Sequence, residues 1–147
     1  MITRNLFRFL IIVMALAVFA VNNSGAEPAA AVPEIITDGL AVYKEKGAEK
    51  AIVEWLKGSP VEGQKDALSQ ANLLMQVETY YGQYKNFELI NSKDITTTAK
   101  IVYIQLNYEN GPVFAFFVVF KKGEGWIITS FQFHTEPSAI LPPEYIS

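Results

Sequence analysis

Residues 113–120 read VFAFFVVF, eight side chains in a row without a polar group, bracketed by Asn110-Gly111 before and by Gly123 and Gly125 after. A run this short, rich in Val and Phe and bounded by turn residues, is a strand rather than a helix. A strand sends alternate side chains to opposite faces, so one with a wet face alternates apolar with polar. This one does not, and the fold must find a use for both of its faces.

The flanking segments say what lies beside it. Strands are expected over 87–95, 99–109, 112–121 and 125–135, with Asn110-Gly111 as a two-residue hairpin turn of the type I′ kind and 121–125 as a longer Gly-containing turn. That turn would set Tyr108 opposite Val113, Leu106 opposite Ala115, Ile104 opposite Phe117 and Val102 opposite Val119. Pairing Phe120 with Trp126 would add Ile127, Thr129, Phe131 and Phe133 to the same apolar side. The opposite side would carry Tyr103, Gln105, Asn107 and Glu109 from one strand, Phe114, Phe116, Val118 and Phe120 from the next, and Trp126, Ile128, Ser130, Gln132 and His134 from the last.

The first half has a helical period. Ile36, Leu40 and Tyr43 mark a helix over 33–46, and Ala48, Ala51, Ile52, Trp55 and Leu56 a second short one. Ser59-Pro60-Val61-Glu62 has the form of a capping box with proline in the first turn, predicting a third helix from there to Tyr81, with Ala67, Leu68, Ala71, Leu74 and Met75 inward. Tyr80, Tyr81, Tyr84 and Phe87 fall where that helix becomes a strand, and are expected to plug the junction.

Ahead of all this, Arg4 and Arg8 precede a thirteen-residue apolar run, and Ser24-Gly25-Ala26 supplies a small-residue cleavage site. This is the pattern of a secretory signal peptide over 1–26, with a flexible tail over 27–32 and one α+β domain over 33–147. The apolar run is shorter than the ~20 residues needed to cross a bilayer, so no membrane association is expected after cleavage. Without residues 1–26 the chain has ten lysines against fifteen acids, a net charge of −5. Such a balance argues against nucleic acid and against anionic lipid surfaces as partners. The absence of cysteine rules out disulfides and thiolate chemistry and fits a bacterial periplasmic or secreted protein.

The mixed face is the candidate site. Tyr103, Gln105, Asn107, Phe114, Phe116, Trp126, Ser130 and Gln132 combine aromatics with amides and a hydroxyl, as a small apolar or peptide ligand site does; a homodimer face has the same composition, and so does a sheet covered by helices on both sides. The only histidine, His134, shares this face with Glu109 two strands away, about 9.6 Å at ~4.8 Å per strand, the only spacing that suggests acid/base catalysis. A solvated histidine at a strand end is the plainer reading. No metal or cofactor is expected: one His, no Cys and no calcium-loop spacing leave no ligand set. No G-x-S-x-G surrounds any serine, and the glycines of KKGEG lack the strand-to-helix setting of a phosphate loop.

The order of helices followed by an antiparallel meander resembles the small exported bacterial domains of the cystatin-like and NTF2-like superfamilies. The segments that carry the resemblance are LKGSPVEGQKDALSQAN, YYGQYKNFELI, YENGPVFAFFVVF and GWIITSFQF. It implies N-terminal helices on a curved four-stranded antiparallel sheet, with either a cavity between helix and sheet or an outer sheet face that dimerises. Enzymatic members place an ionisable residue deep in the cavity, whereas the middle of the second face here holds Gln105, Asn107, Ser130 and Gln132. A non-enzymatic binding module is therefore the leading expectation, a homodimerising interaction protein the alternative, and an acid/base enzyme the third.

Overall fold

The computed structural model describes residues 32–147. The expected signal peptide lies outside them, as does all of the expected flexible tail except Val32, which is buried in the core. Helices α1 (Glu34–Lys46), α2 (Ala48–Trp55) and α3 (Lys65–Tyr81) are followed by strands β1 (Tyr84–Thr96), β2 (Ala99–Tyr108), β3 (Pro112–Lys122) and β4 (Gly125–His134). The strands form one antiparallel sheet in the order β1-β2-β3-β4. α1 packs on α2, α2 on α3, and α1 and α3 both meet β4. This is the expected α+β arrangement. No helix among the described residues is long and apolar enough to cross a membrane.

The helix side of the sheet is the core. Val102, Ile104 and Leu106 of β2, Val113, Ala115, Phe117 and Val119 of β3, and Ile128 and Phe133 of β4 are buried there. Burying a Phe or Leu contributes ~1.5–3 kcal/mol, so this face dominates the stability. Trp55 sits at its centre, its ring 5.3 Å from Phe117 and 5.6 Å from Phe133 between centroids. The indole N–H donates to the Ile36 carbonyl at 3.0 Å, so the one polar atom of this buried ring is satisfied. α1 can lie this close only because residue 39 is glycine: a Cβ there would stand 2.0 Å from the indole nitrogen.

The third helix starts later than its capping signal suggests. Ser59 Oγ accepts from the Val61 N–H at 3.2 Å, and the Glu62 carboxylate reaches back to the Gly58 N–H at 2.9 Å. The two side chains thus close a free-standing turn, and Gly63 at φ 76° breaks the chain before α3 begins at Lys65. The inward stripe of α3 is narrower than expected. Ala67, Ala71, Leu74 and Val77 are buried, whereas Leu68 and Met75 are each 46% exposed.

Both hairpin registers also differ from expectation. Leu106 pairs with Val113, Ile104 with Ala115 and Val102 with Phe117, a slip of two residues from the register Asn110-Gly111 implied. Among the described residues no non-glycine residue has positive φ, and neither does Gly111, so the type I′ turn is absent at Asn110-Gly111. Instead the Tyr108 N–H bonds to the Gly111 carbonyl around Glu109-Asn110, while the Glu109 and Asn110 N–H groups donate to the carbonyls of Gln83 and Tyr81. The turn is tied to the end of α3 and the start of β1. Because the slip is even, the faces of β2 and β3 are as expected. On β4 Trp126 pairs with Lys121 and Ile128 with Val119; a bulge after Val118 then restores Phe131 to Phe117 and Phe133 to Ala115. The Thr129 hydroxyl donates to the Val118 carbonyl at the bulge. Ile128 therefore replaces Ile127 and Thr129 in the core.

Candidate functional site on the outer sheet face

Alternation along β2 and β3 leaves one set of side chains away from the helices. Tyr103, Gln105 and Asn107 of β2 lie across from Phe116, Phe114 and Pro112 of β3, and Phe116 and Phe114 lie across from Gln132 and His134 of β4. Val118 is opposite Ser130. Phe114, Phe116 and Val118 are half-buried, and Phe120 is 45% exposed. The result is an apolar row down the middle of the sheet, with the Tyr103 and Phe116 rings edge to face at 6.4 Å.

The polar groups around it are organised. Gln105 Nε2 donates to Asn107 Oδ1 at 2.7 Å, and Asn107 Nδ2 donates to Asn86 Oδ1 of β1 at 2.8 Å. This amide ladder borders one end of the row and keeps further hydrogen-bonding capacity free for a ligand. On the other side, Ser130 and Gln132 are exposed. Seven of the eight expected residues thus share one face: Tyr103, Gln105, Asn107, Phe114, Phe116, Ser130 and Gln132.

Trp126 is the exception. The register at the start of β4 puts it opposite Lys121, on the helix side, where it packs against the core and Lys100 Nζ lies 5.8 Å from its ring centroid. With Val32, Pro33 and Glu34 it lines an open groove at the start of α1. The one-residue difference from the expected register inverted its side, as a one-residue slip must.

Glu109 and His134 do not form a pair. Glu109 Oε1 bonds Lys85 Nζ at 2.6 Å and its other oxygen accepts from the Gln83 N–H. The Lys85 hydrogen bond, then the Gln83 N–H and the lysine charge, hold its carboxyl below the ordinary range. His134 is exposed, and its Nδ1 accepts the Glu136 N–H at 2.9 Å. Each group is committed to its own turn, Glu109 between β2 and β3 and His134 at the end of β4. Among the described residues, no three His, Cys, Asp or Glu side chains gather as a metal ion would need.

The tail after β4 returns over this face. A 3-10 turn at Pro137–Ala139 leads to Ile140 and Leu141, which are 7% and 8% exposed but stand apart from the helix-side core. Pro142, Glu144 and Tyr145 then face Asn91, Lys93, Ile101 and Tyr103 across a hollow of about 390 Å³. The Tyr145 hydroxyl is hydrogen-bonded to Asn91 Nδ2. Burial, then the neighbouring Glu144 and Tyr145, raise the Tyr103 hydroxyl above its ordinary pKa.

A second constellation was not visible in the sequence. Tyr43 of α1, Tyr84 of β1 and Tyr108 of β2 cluster under the end of the sheet, with Tyr43 stacked on Tyr84 at 4.9 Å and its hydroxyl 2.9 Å from that of Tyr108. Burial pushes the Tyr84 hydroxyl up to about 12 and raises Tyr108. Tyr43 is raised too, by burial first and then by Tyr108 and Glu78. These hydroxyls stay neutral at physiological pH and can donate hydrogen bonds but not act as bases. Of the expected plug at the junction, Tyr84 is buried with two distant tyrosines and Tyr81 and Phe87 pack partly buried against the core, while Tyr80 is exposed.

No family model matches the chain, and no curated protein matches it. Among solved structures it is similar to an NTF2-like protein of unknown function from Shewanella baltica OS155, at 17% identity and TM-score 0.43, over 71% of this chain and 93% of that one. It is similar to a domain of unknown function with a cystatin-like fold from Nostoc punctiforme PCC 73102, at 12% identity and TM-score 0.47, over 84% and 83%. It is also similar to an NTF2-like protein of unknown function from Silicibacter pomeroyi DSS-3, at 11% identity and TM-score 0.43, over 69% and 92%. These are the two groups that the sequence segments resemble, and the likeness is one of fold.

Proposed function

We propose that this chain is an exported, non-enzymatic binding module that meets its target through the outer face of the sheet. The observation that carries the reading is the row Phe114, Phe116, Val118 and Phe120, which alternates with the buried core set of β3 and so lies on the side away from α1, α2 and α3, half-buried to exposed. Monomeric proteins rarely leave contiguous apolar surface in water, and a row rimmed by amides and hydroxyls has the make-up of an interaction surface. The target is apolar or aromatic along the row and hydrogen-bonds at the amide ladder. The separate commitments of Glu109 and His134 favour binding over acid/base chemistry. Export rests on the charged, apolar and small-residue pattern of residues 1–26.

Native mass spectrometry of the chain from Glu27, purified from an exporting host, tests this reading together with Phe116→Asp. A monomer with a reproducible added mass that the substitution removes is the expected outcome. A dimer without added mass, split by the same substitution, would assign the row to self-association instead. A bare monomer that Phe116→Asp leaves unchanged, with no partner retained from the host periplasm, would overturn both.

A further inference from the structure

The segment 137–147 lies on the sheet without joining it. Among the described residues, every backbone hydrogen bond made by residues 137–147 closes within the tail, and none joins the sheet ladder. Its attachment is by side chains: buried Ile140 and Leu141, Pro142 near Ile101 and Tyr103, and the Tyr145 hydroxyl on Asn91. Pro142 has φ −57° and ψ 150°, the polyproline II region, and the turn Pro143–Tyr145 that follows carries the tyrosine to Asn91 in the middle of β1. An extended proline segment docked beside a tyrosine is a known solution for peptide recognition, because proline loses little entropy on binding.

We infer that the hollow lined by Asn91, Ile101 and Tyr103 is a peptide-recognition site, that the chain's own tail is its built-in occupant, and that the external partner is a protein segment of the same chemistry. This rests on the outer face being a binding surface. The partner segment has an aliphatic pair, then one proline in extended conformation, then a proline-initiated turn that ends in a tyrosine whose hydroxyl reaches Asn91. The tail competes with it. Because no ladder bond holds the tail, it leaves without disturbing β1 or β2, and local release is the low-cost motion of this domain. Tethered by a few residues after His134, the tail acts at an effective concentration on the order of millimolar, which a partner must overcome.

The test uses the full chain and a synthetic peptide with the sequence of residues 138–147, SAILPPEYIS, carrying an N-terminal fluorophore. Binding is measured by anisotropy to the unaltered chain and to Leu141→Ser/Tyr145→Ala, in which the tail is loosened. The peptide is expected to bind the loosened chain at least about tenfold more tightly, as relief from an intramolecular competitor requires. It should also return the Asn91 side-chain amide resonance of the loosened chain to its original position, and Asn91→Ala in that background should abolish the gain. If the double variant does not fold, Tyr145→Ala alone, at a partly exposed residue, carries the test with a smaller gain of the same sign. Equal affinity for both chains, or no binding to the loosened one, would overturn the inference. So would a dimer in which Tyr145 of one copy cross-links to Asn91 of the other, since the tail would then be an exchanged element. An added mass removed by Phe116→Asp, in a chain that ignores the peptide, would sink this inference and leave the binding-module reading intact.

Discussion

The two faces of β3 differ by one residue in sequence and by most of what a protein environment can vary. Val113, Ala115, Phe117 and Val119 are wholly buried beneath the helices, where Trp55 fills the space between α1 and the sheet. Phe114, Phe116, Val118 and Phe120 have comparable side chains, yet they are bordered by amides, a hydroxyl and a side-chain-anchored tail. Hydrophobicity alone therefore does not tell core from contact surface. What distinguishes them is the company each face keeps on β2: Leu106, Ile104, Val102 and Lys100 lie opposite the buried set, and Gln105, Tyr103, Ile101 and Ala99 opposite the outer one, where only the outer set brings amide and phenol groups to the middle of the sheet.

The sharpest way to break this comparison is to truncate the largest ring on each side. Trp55→Ala is expected to cost ~3–5 kcal/mol in urea unfolding, through lost burial plus a cavity. Phe116→Ala, half-exposed already, should cost about 1 kcal/mol. Equal losses would mean that both faces are core.

Next in size is the close approach behind Trp55. Gly39→Ala should destabilise by ~1–3 kcal/mol, because the added methyl would occupy the indole's place. In a Trp55→Phe background the same change should cost less, a non-additivity that thermal melts of the four chains would reveal.

The tyrosine cluster offers a test of similar size with a pH signature. Tyr108→Phe leaves the buried Tyr43 hydroxyl without that partner, at a cost of ~1–3 kcal/mol. Tyr84 has a folded pKa of about 12 against an ordinary 10.0, so its neutral form is the one that folding favours. Its contribution is complete below pH 10 and is lost as the pH rises towards 12; Tyr43 and Tyr108 shift in the same direction. Stability should fall steeply above pH 10, and phenolate absorbance from the cluster should rise together with unfolding. Absorbance that rises earlier, in the folded chain, would show the cluster open to water.

The smallest effect is expected at the amide ladder. Gln105→Ala should change stability by no more than ~0.5 kcal/mol, as for other partly exposed positions, while weakening whatever occupies the outer face. A larger loss in unfolding would make the ladder structural.

Which residues share a face was legible because a strand's period is two, and an even slip in the β2–β3 pairing moved no side chain across the sheet. Partners within the pairing were not legible. The acceptors that choose the turn, the carbonyls of Tyr81 and Gln83, lie some thirty residues upstream on another element. Trp126 was misplaced for a related reason, since a bulge near Thr129 lets β4 change register partway along and nothing in its composition marks the place. The helix signal at Ser59-Pro60-Val61-Glu62 was sound chemistry that Gly63 confined to a single turn. The tyrosine cluster draws on positions 43, 84 and 108, a grouping that no local window contains.

The ties from the Glu109-Asn110 turn to Tyr81 and Gln83 carry a consequence for how the chain folds. An isolated β2–β3 hairpin has two registers, two residues apart, that bury the same side chains, and Asn110-Gly111 favours the wrong one. Only after α3 has ended and β1 has begun are the two carbonyls in place to hold the turn where it belongs. The end of α3 thus acts as a gauge for the hairpin, making its closure late and non-local. Refolding should pause in a mispaired state when that gauge is removed, even though the finished core would be the same.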